Sequence, residues 1–179
     1  FLSALKFKQY NIEHHIAHIA SAYFISSWDK SAGFSLDGSG DFVSTMFADC
    51  YGNNIDIKYK VYIPDSIGSL YTMICQFIGY KNFGDEGKVM GLAPYGTNKY
   101  KDILDDIVKI KDVGFKLNHK YFKTLGSNQG IFIDKKGKAS IENLFSNLVL
   151  NKFGSPTKPY SKISKRDMNI ASSLQNKFE

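Results

Sequence analysis

Apolar and polar positions follow different periods along the chain, and each block predicts an element. From Ile12 to Trp28 (IEHHIAHIASAYFISSW) apolar and small residues run without Gly or Pro, which predicts a largely buried helix of about four turns. Ala32–Asp37 reads as a buried strand, Gly38–Gly40 as a tight turn and Asp41–Asp49 as a second strand. Tyr51–Asn54 is a hairpin signal, and Ile55–Ile63 alternates as a strand with one wet face should. Three strands joined by short turns predict an antiparallel meander, which Pro64 ends.

Ser66 can cap the helix that follows, IGSLYTMICQFIGY, whose bulky apolar residues leave little polar face and predict a core helix on the meander. Lys81–Gly96 holds four Gly and one Pro, too many for a regular element, with room for a helical turn over Glu86–Met90. Ile103, Ile107 and Ile110 give Lys99–Lys111 the spacing of an amphipathic surface helix. Gly114–Asn118 and Gly130–Asp134 read as short strands, Ser140–Val149 as a helix, Asn151–Lys162 as loop and Arg166–Glu179 as a final helix. Strands first and helices after predict a mixed α/β domain, a sheet with helical cover.

Composition narrows the class. At 179 residues, 43% hydrophobic and 22% charged, the chain is globular in balance and long enough for one domain. No apolar run approaches the roughly 18 residues of a membrane span, so no membrane partner is expected. The net charge of +6 is uneven. Up to Asn98 there are 7 Lys against 9 acidic residues, and from Lys99 onward 16 basic against 8 acidic. All the basic residues but Arg166 are Lys, scattered over helix faces and loops, which favours a solvated face over nucleic-acid binding. Cys50 and Cys75 are too few for a disulfide framework, which fits reduced thiols in a cytoplasmic protein. The chain opens on Phe1 without a signal-peptide pattern and ends in a helix at Glu179, so it is expected to be a piece of something longer.

Three segments carry candidate chemistry. His14, His15 and His18 lie in one pentapeptide, and on a helix residues four apart share a face, so His14 and His18 can offer two imidazoles to one metal ion. His15 points about 100° away. A metalloprotease helix would need Glu where His15 stands, which disfavours that class. In Leu36–Asp41 (LDGSGD) a strand meets Asp37 and then Gly38, Ser39 and Gly40, a pattern that can cradle a phosphate on backbone N–H groups or form a plain hairpin. It resembles the second phosphate loop of the actin-like ATPase superfamily. With His14 and His18, Asp37 completes an N/O donor set suited to Fe(II), Zn(II) or Mn(II). Finally, Gly84–Gly96 places Glu86 and Lys88 among Val89, Met90, Leu92 and Ala93, where charged groups are usually paired or functional.

The stretches HHIAHIASAYFISSWDKSAGFSLDGSGDF, IGSLYTMICQFIGY and DEGKVMGLAPYG, in that order, resemble the carbamoyltransferase family of nodulation protein U and the antibiotic O-carbamoyltransferases. The likeness is dense from Asn11 to Thr97 and returns at Asn169–Gln175. It implies an actin-like, ribonuclease H-like domain related to the tRNA threonylcarbamoyl transferases, of which this chain would be the central part. Residues 1–31 would end the first subdomain, and 32–179 would be an incomplete second subdomain. The implied activity is transfer of a carbamoyl group from carbamoyladenylate, made from carbamoyl phosphate and ATP, to a hydroxyl of a small-molecule acceptor. The implied metal is of the iron type, held by His14, His18, Asp37 and a further Asp downstream.

His15 is then a candidate base for the acceptor hydroxyl, and Glu86 and Lys88 are candidates to position the acceptor or the nucleotide phosphates. Against the family pattern, the opening strands, the adenosine-binding glycines, the last metal Asp and the adenylate-forming domain have no counterpart here. Transfer is therefore expected only from the full-length protein. The alternative is a non-catalytic actin-like binding module or a relative of the tRNA-modifying enzymes.

Overall fold

The computed structural model of the chain describes residues 8–82, 84–123, 131–133, 137 and 139–179. Helix α1 (His14–Tyr23) is followed by strands β1 (Lys30–Gly40), β2 (Val43–Tyr51) and β3 (Asn54–Tyr62), then by helices α2 (Ile67–Phe77) and α3 (Glu86–Leu92). Helix α4 (Lys101–Ile107) runs directly into β4 (Val108–Ile110), which pairs with β5 (Phe115–Leu117). Strands β6 (Ile131–Ile133) and β7 (Ala139–Ile141) form a second small hairpin, and helices α5 (Asn147–Phe153) and α6 (Lys165–Phe178) complete the described elements. No helix among the described residues is long and apolar enough to cross a membrane.

The mixed α/β reading and the meander are both present: β1, β2 and β3 form one antiparallel sheet in chain order. Helix α1 covers one face. His15, Ile19 and Tyr23, spaced four apart, are its buried stripe, and Ile19 and Tyr23 join Met46, Ala48 and Cys50 in a small apolar cluster. Part of the other face meets the main core, in which Val61 packs with Leu70, Met73, Ile74 and Phe77 of α2 and Ile170, Ala171 and Leu174 of α6. A Ser164–Asp167 capping box starts α6. Arg166, the lone arginine, spends its fork on structure: it donates to the Ser155 carbonyl at 2.7 Å and to Thr157 Oγ1 at 2.9 Å.

Several elements differ from the sequence reading. Helix α1 stops at Tyr23, where the Ser26 hydroxyl and N–H both take the Tyr23 carbonyl at 2.7 and 3.0 Å, so it never reaches Trp28. Ile12, Phe24, Ile25 and Trp28, which suggested a longer buried helix, are exposed. In β1 the buried side is Gly33 and Ser35, while Phe34 is 57% exposed. A methyl group on Gly33 would stand 2.8 Å from Ile19 Cγ2, so the small residue is what lets α1 close onto the sheet.

The tight turn also moves. Gly38–Gly40 continue β1, and the two-residue loop is Asp41–Phe42, both with positive φ (50° and 64°) as a type I′ hairpin requires. Helix α4 ends at Ile107, leaving Ile110 on a strand and exposed. Ser140–Val149 divides into β7 and the start of α5, and α5 runs on to Phe153 in what reads as loop.

Candidate metal centre

The site forms where α1 crosses the end of β1. Glu13 starts the helix by accepting the Ile16 N–H at 2.8 Å, and Asp41 Oδ2 takes the His14 N–H at 2.9 Å, so the β1–β2 loop is tied to the first turn of α1. His14 and His18 then project from one face toward Asp37. His14 Nε2 lies 2.8 Å from Asp37 Oδ2, His18 Nε2 lies 3.7 Å from the same oxygen, and the two Nε2 atoms are 3.1 Å apart. Among the described residues these three make the one cluster of side chains placed to hold a metal ion, their ligand atoms all within 4.8 Å of one another.

Gly40 makes the arrangement sterically possible. The His14 ring lies over it, and a Cβ there would fall 2.0 Å from His14 Cδ2. Gly40 thus leaves room for an imidazole. At Gly38 the N–H is engaged by its neighbour's Asp37 Oδ1 at 2.6 Å, and the carbonyl accepts the Ser66 hydroxyl at 2.6 Å. The same Ser66 oxygen accepts the Ser69 N–H, so the cap of α2 also grips the backbone after Asp37. Ser39 is exposed beside them. Burial alone would raise the Asp37 carboxyl, but the hydrogen bonds from His14 and the Gly38 N–H outweigh it and hold the group below its ordinary value.

Asp37 and Gly38 open onto a cleft of about 470 Å³, which Ile67, Tyr71, Met90 and Phe178 wall with apolar surface and Thr72 and Glu86 line with polar atoms. Glu86, at the start of α3, accepts the Thr72 hydroxyl at 2.8 Å. Tyr71 donates to Gln175 at 3.2 Å, and burial pushes its phenol up to about 12. The structure separates the two charged residues that the sequence groups together. Glu86 faces the cleft, whereas Lys88 pairs with Asp85 at 2.6 Å, half-exposed and over the Tyr80 ring.

His15 is placed differently again. Its ring is buried, with Nδ1 2.9 Å from Ser35 Oγ and Nε2 2.9 Å from the Val43 carbonyl. With both ring nitrogens engaged and no exposed surface, it offers nothing to a hydroxyl arriving from solvent, so the base expected there has no support in this geometry. Ser35, Asp41 and Ser66 escaped the sequence reading as parts of the site. Only Asp41 carried a local signal, as the last residue of LDGSGD.

Comparisons with known proteins bear on the whole chain. The family described as Carbamoyltransferase N-terminus matches residues 4–179. The Synechocystis sp. protein sll1178 is 36% identical over 166 residues, covering 91% of this chain and 25% of that protein. Nodulation protein NolNO of Sinorhizobium fredii is 37% identical over 106 residues, 58% of this chain and 15% of its own length. Nodulation protein NolO of Bradyrhizobium diazoefficiens is 36% identical over 106 residues, 58% of this chain and 19% of its own. The chain therefore spans a quarter or less of the length of these relatives.

Proposed function

The chain belongs to the carbamoyltransferase family, matching its N-terminal part, and we propose that it supplies the metal-holding portion of an O-carbamoyltransferase. The observation that carries this reading is the convergence of His14 Nε2, His18 Nε2 and Asp37 Oδ2, of which Asp37 also lines the Glu86 cleft. The reaction moves a carbamoyl group from carbamoyladenylate, itself formed from carbamoyl phosphate and ATP, to a hydroxyl of a small-molecule acceptor. The actin-like architecture implied by the sequence resemblance is part of the same proposal.

The donor set fits a divalent cation. Separations of 2.8, 3.1 and 3.7 Å are edges that an ion with bonds of about 2.1 Å can span. Two imidazoles and one carboxylate suit Fe(II) first, with Zn(II) or Mn(II) as alternatives. Such an ion, when bound, would neutralise the phosphate of the adenylate and ease the departure of AMP.

The chain's own residues do the rest. Asp37 stays anionic at neutral pH, giving the site its charge, and the two imidazoles supply lone pairs. The apolar wall of Ile67, Tyr71, Met90 and Phe178 limits water beside the reacting groups. Glu86, held by Thr72, orients a hydroxyl donor in the cleft. Lys88 stands outside that cleft and takes no part in this reading.

Titration of the chain with Co(II), followed by its visible absorption, tests the proposal. His14→Ala, His18→Ala and Asp37→Asn should each weaken binding by tenfold or more, and unchanged affinity in all three sinks the shared site. The full-length protein, supplied with carbamoyl phosphate, ATP and hydroxylated acceptors, should release AMP on transfer. Metal binding without transfer to any acceptor would favour a non-catalytic module.

A further inference from the structure

His15 lies between the two imidazoles of the candidate centre in sequence, but its ring turns to the buried face of α1 while theirs turn toward Asp37. Its ring centroid is 5.2 Å from that of His14 and 6.3 Å from that of His18. It reaches through the buried face of α1, past β1, to β2. The Val43 carbonyl can only accept, so Nε2 carries a hydrogen and donates it, while Nδ1 is paired with the Ser35 hydroxyl. Both bonds are 2.9 Å long and shielded from water, where directional bonds have no substitute partner.

The rest of the buried stripe of α1 is less particular. The Tyr23 hydroxyl donates to the Asp29 carbonyl at 2.9 Å, which lies in the segment after the helix and not in the sheet. Ile19 and Tyr23 otherwise pack on Met46, Ala48 and Cys50, and apolar contacts of this kind tolerate small slides and rotations. The Ser35 and Val43 bonds do not, because a turn of the helix by one residue swings a side chain by about 100°. The same turn would carry His14 and His18 away from Asp37.

We propose that His15 is a positioning residue for the metal centre. It is a buried bolt, bonded to Ser35 and to the Val43 carbonyl, that sets the rotation at which His14 and His18 share Asp37. The inference rests on the reading of His14, His18 and Asp37 as cation ligands, and it gives Ser35 a role in a site it does not touch. It also accounts for a polar residue on the inner face of β1, where an apolar side chain would serve packing better.

Two measurements on the whole chain decide it. In the metal-free protein, long-range proton–nitrogen spectra should show a slowly exchanging proton on Nε2 of His15. Ser35→Ala, which removes one bond and little volume, should stay folded and shift the ring signals of His14 and His18. In the second measurement, Ser35→Ala should weaken Co(II) binding several-fold and His15→Phe about tenfold or more, as loss of an orienting partner does. His15→Gln, which can still donate to the Val43 carbonyl, should recover part of that loss.

A residue that only stabilises the fold would lower the unfolding midpoint and leave the affinity of the folded protein unchanged. Wild-type Co(II) affinity in folded Ser35→Ala and His15→Gln therefore overturns the proposal, as do unmoved His14 and His18 signals in Ser35→Ala. Failure of the wild-type chain to bind Co(II) overturns the metal reading instead, and the ring signals still decide the role of His15.

Discussion

At the residue scale the candidate centre depends on small side chains as much as on ligands. Gly40 is extended backbone, so its importance is not conformational: the His14 imidazole occupies the space a Cβ would take, with Cδ2 only 2.0 Å from that position. Gly40→Ala must push the ring aside or part α1 from the sheet. The expected cost is about 1–3 kcal/mol of stability, read from urea unfolding, together with a loss of Co(II) affinity comparable to that of His14→Ala. A variant with wild-type midpoint and wild-type affinity would mean that the His14 ring does not rest there. Gly38→Ala is the matching control, since nothing lies within 4 Å of a Cβ at that position.

At the element scale the start of α2 ties the meander to the rest of the core. Asp65 is buried, and its Oδ1 accepts the Leu117 N–H of β5 and faces His119 Nε2, both at 2.8 Å, while Lys116 Nζ stands 3.1 Å from Oδ2. Burial works to raise this carboxyl, yet the Leu117 N–H, His119 and Lys116 together hold it below its ordinary value. A folded pKa below the unfolded one, about 3.9, contributes stability that is complete above that pH and is lost as pH falls through the folded value. Asp65→Asn should therefore be less stable than wild type at pH 7, with a gap that narrows as the pH falls below about 4. Urea midpoints at pH 7, 4 and 3 check this, and a constant gap would remove Asp65 from the acid limb.

The elements also show what was legible before the structure. Strands β2 and β3, the Ser66 cap and helix α6 could be read because periodicity and capping are local. The extent of α1 and the inner face of β1 could not. Ser26 ends α1 by taking its carbonyl, and β1 turns Gly33 and Ser35 inward because a neighbouring helix needs closeness and a bonded imidazole needs a hydroxyl. The pair His14 and His18 was legible from spacing alone. That His15 bonds to Ser35 and Val43 is a consequence of tertiary packing, for which the pentapeptide carries no signal.

At the scale of the whole molecule the meander separates two apolar clusters of unequal size. Among the described residues, five buried ones, Ile19 and Met46 among them, gather on the α1 side, whereas 22 form the core shared by α2, α4, α5 and α6. Local opening follows the density of buried contacts, so α1 should open at lower free energy than α2 and α6, which should exchange only on global unfolding. His14 and His18 thus sit on the less secured layer, bridged to β1 through Asp37. A cation shared by the three side chains would bind only while α1 is docked, and it stabilises that state by mass action. Native-state hydrogen exchange with and without Co(II) should show added protection over residues 14–23 and 35–41. Amides of α5 and α6 should change least at low denaturant, where α1 opens alone. Protection that rises equally in every element would mean that α1 does not open separately, and no added protection in α1 would place the ion elsewhere.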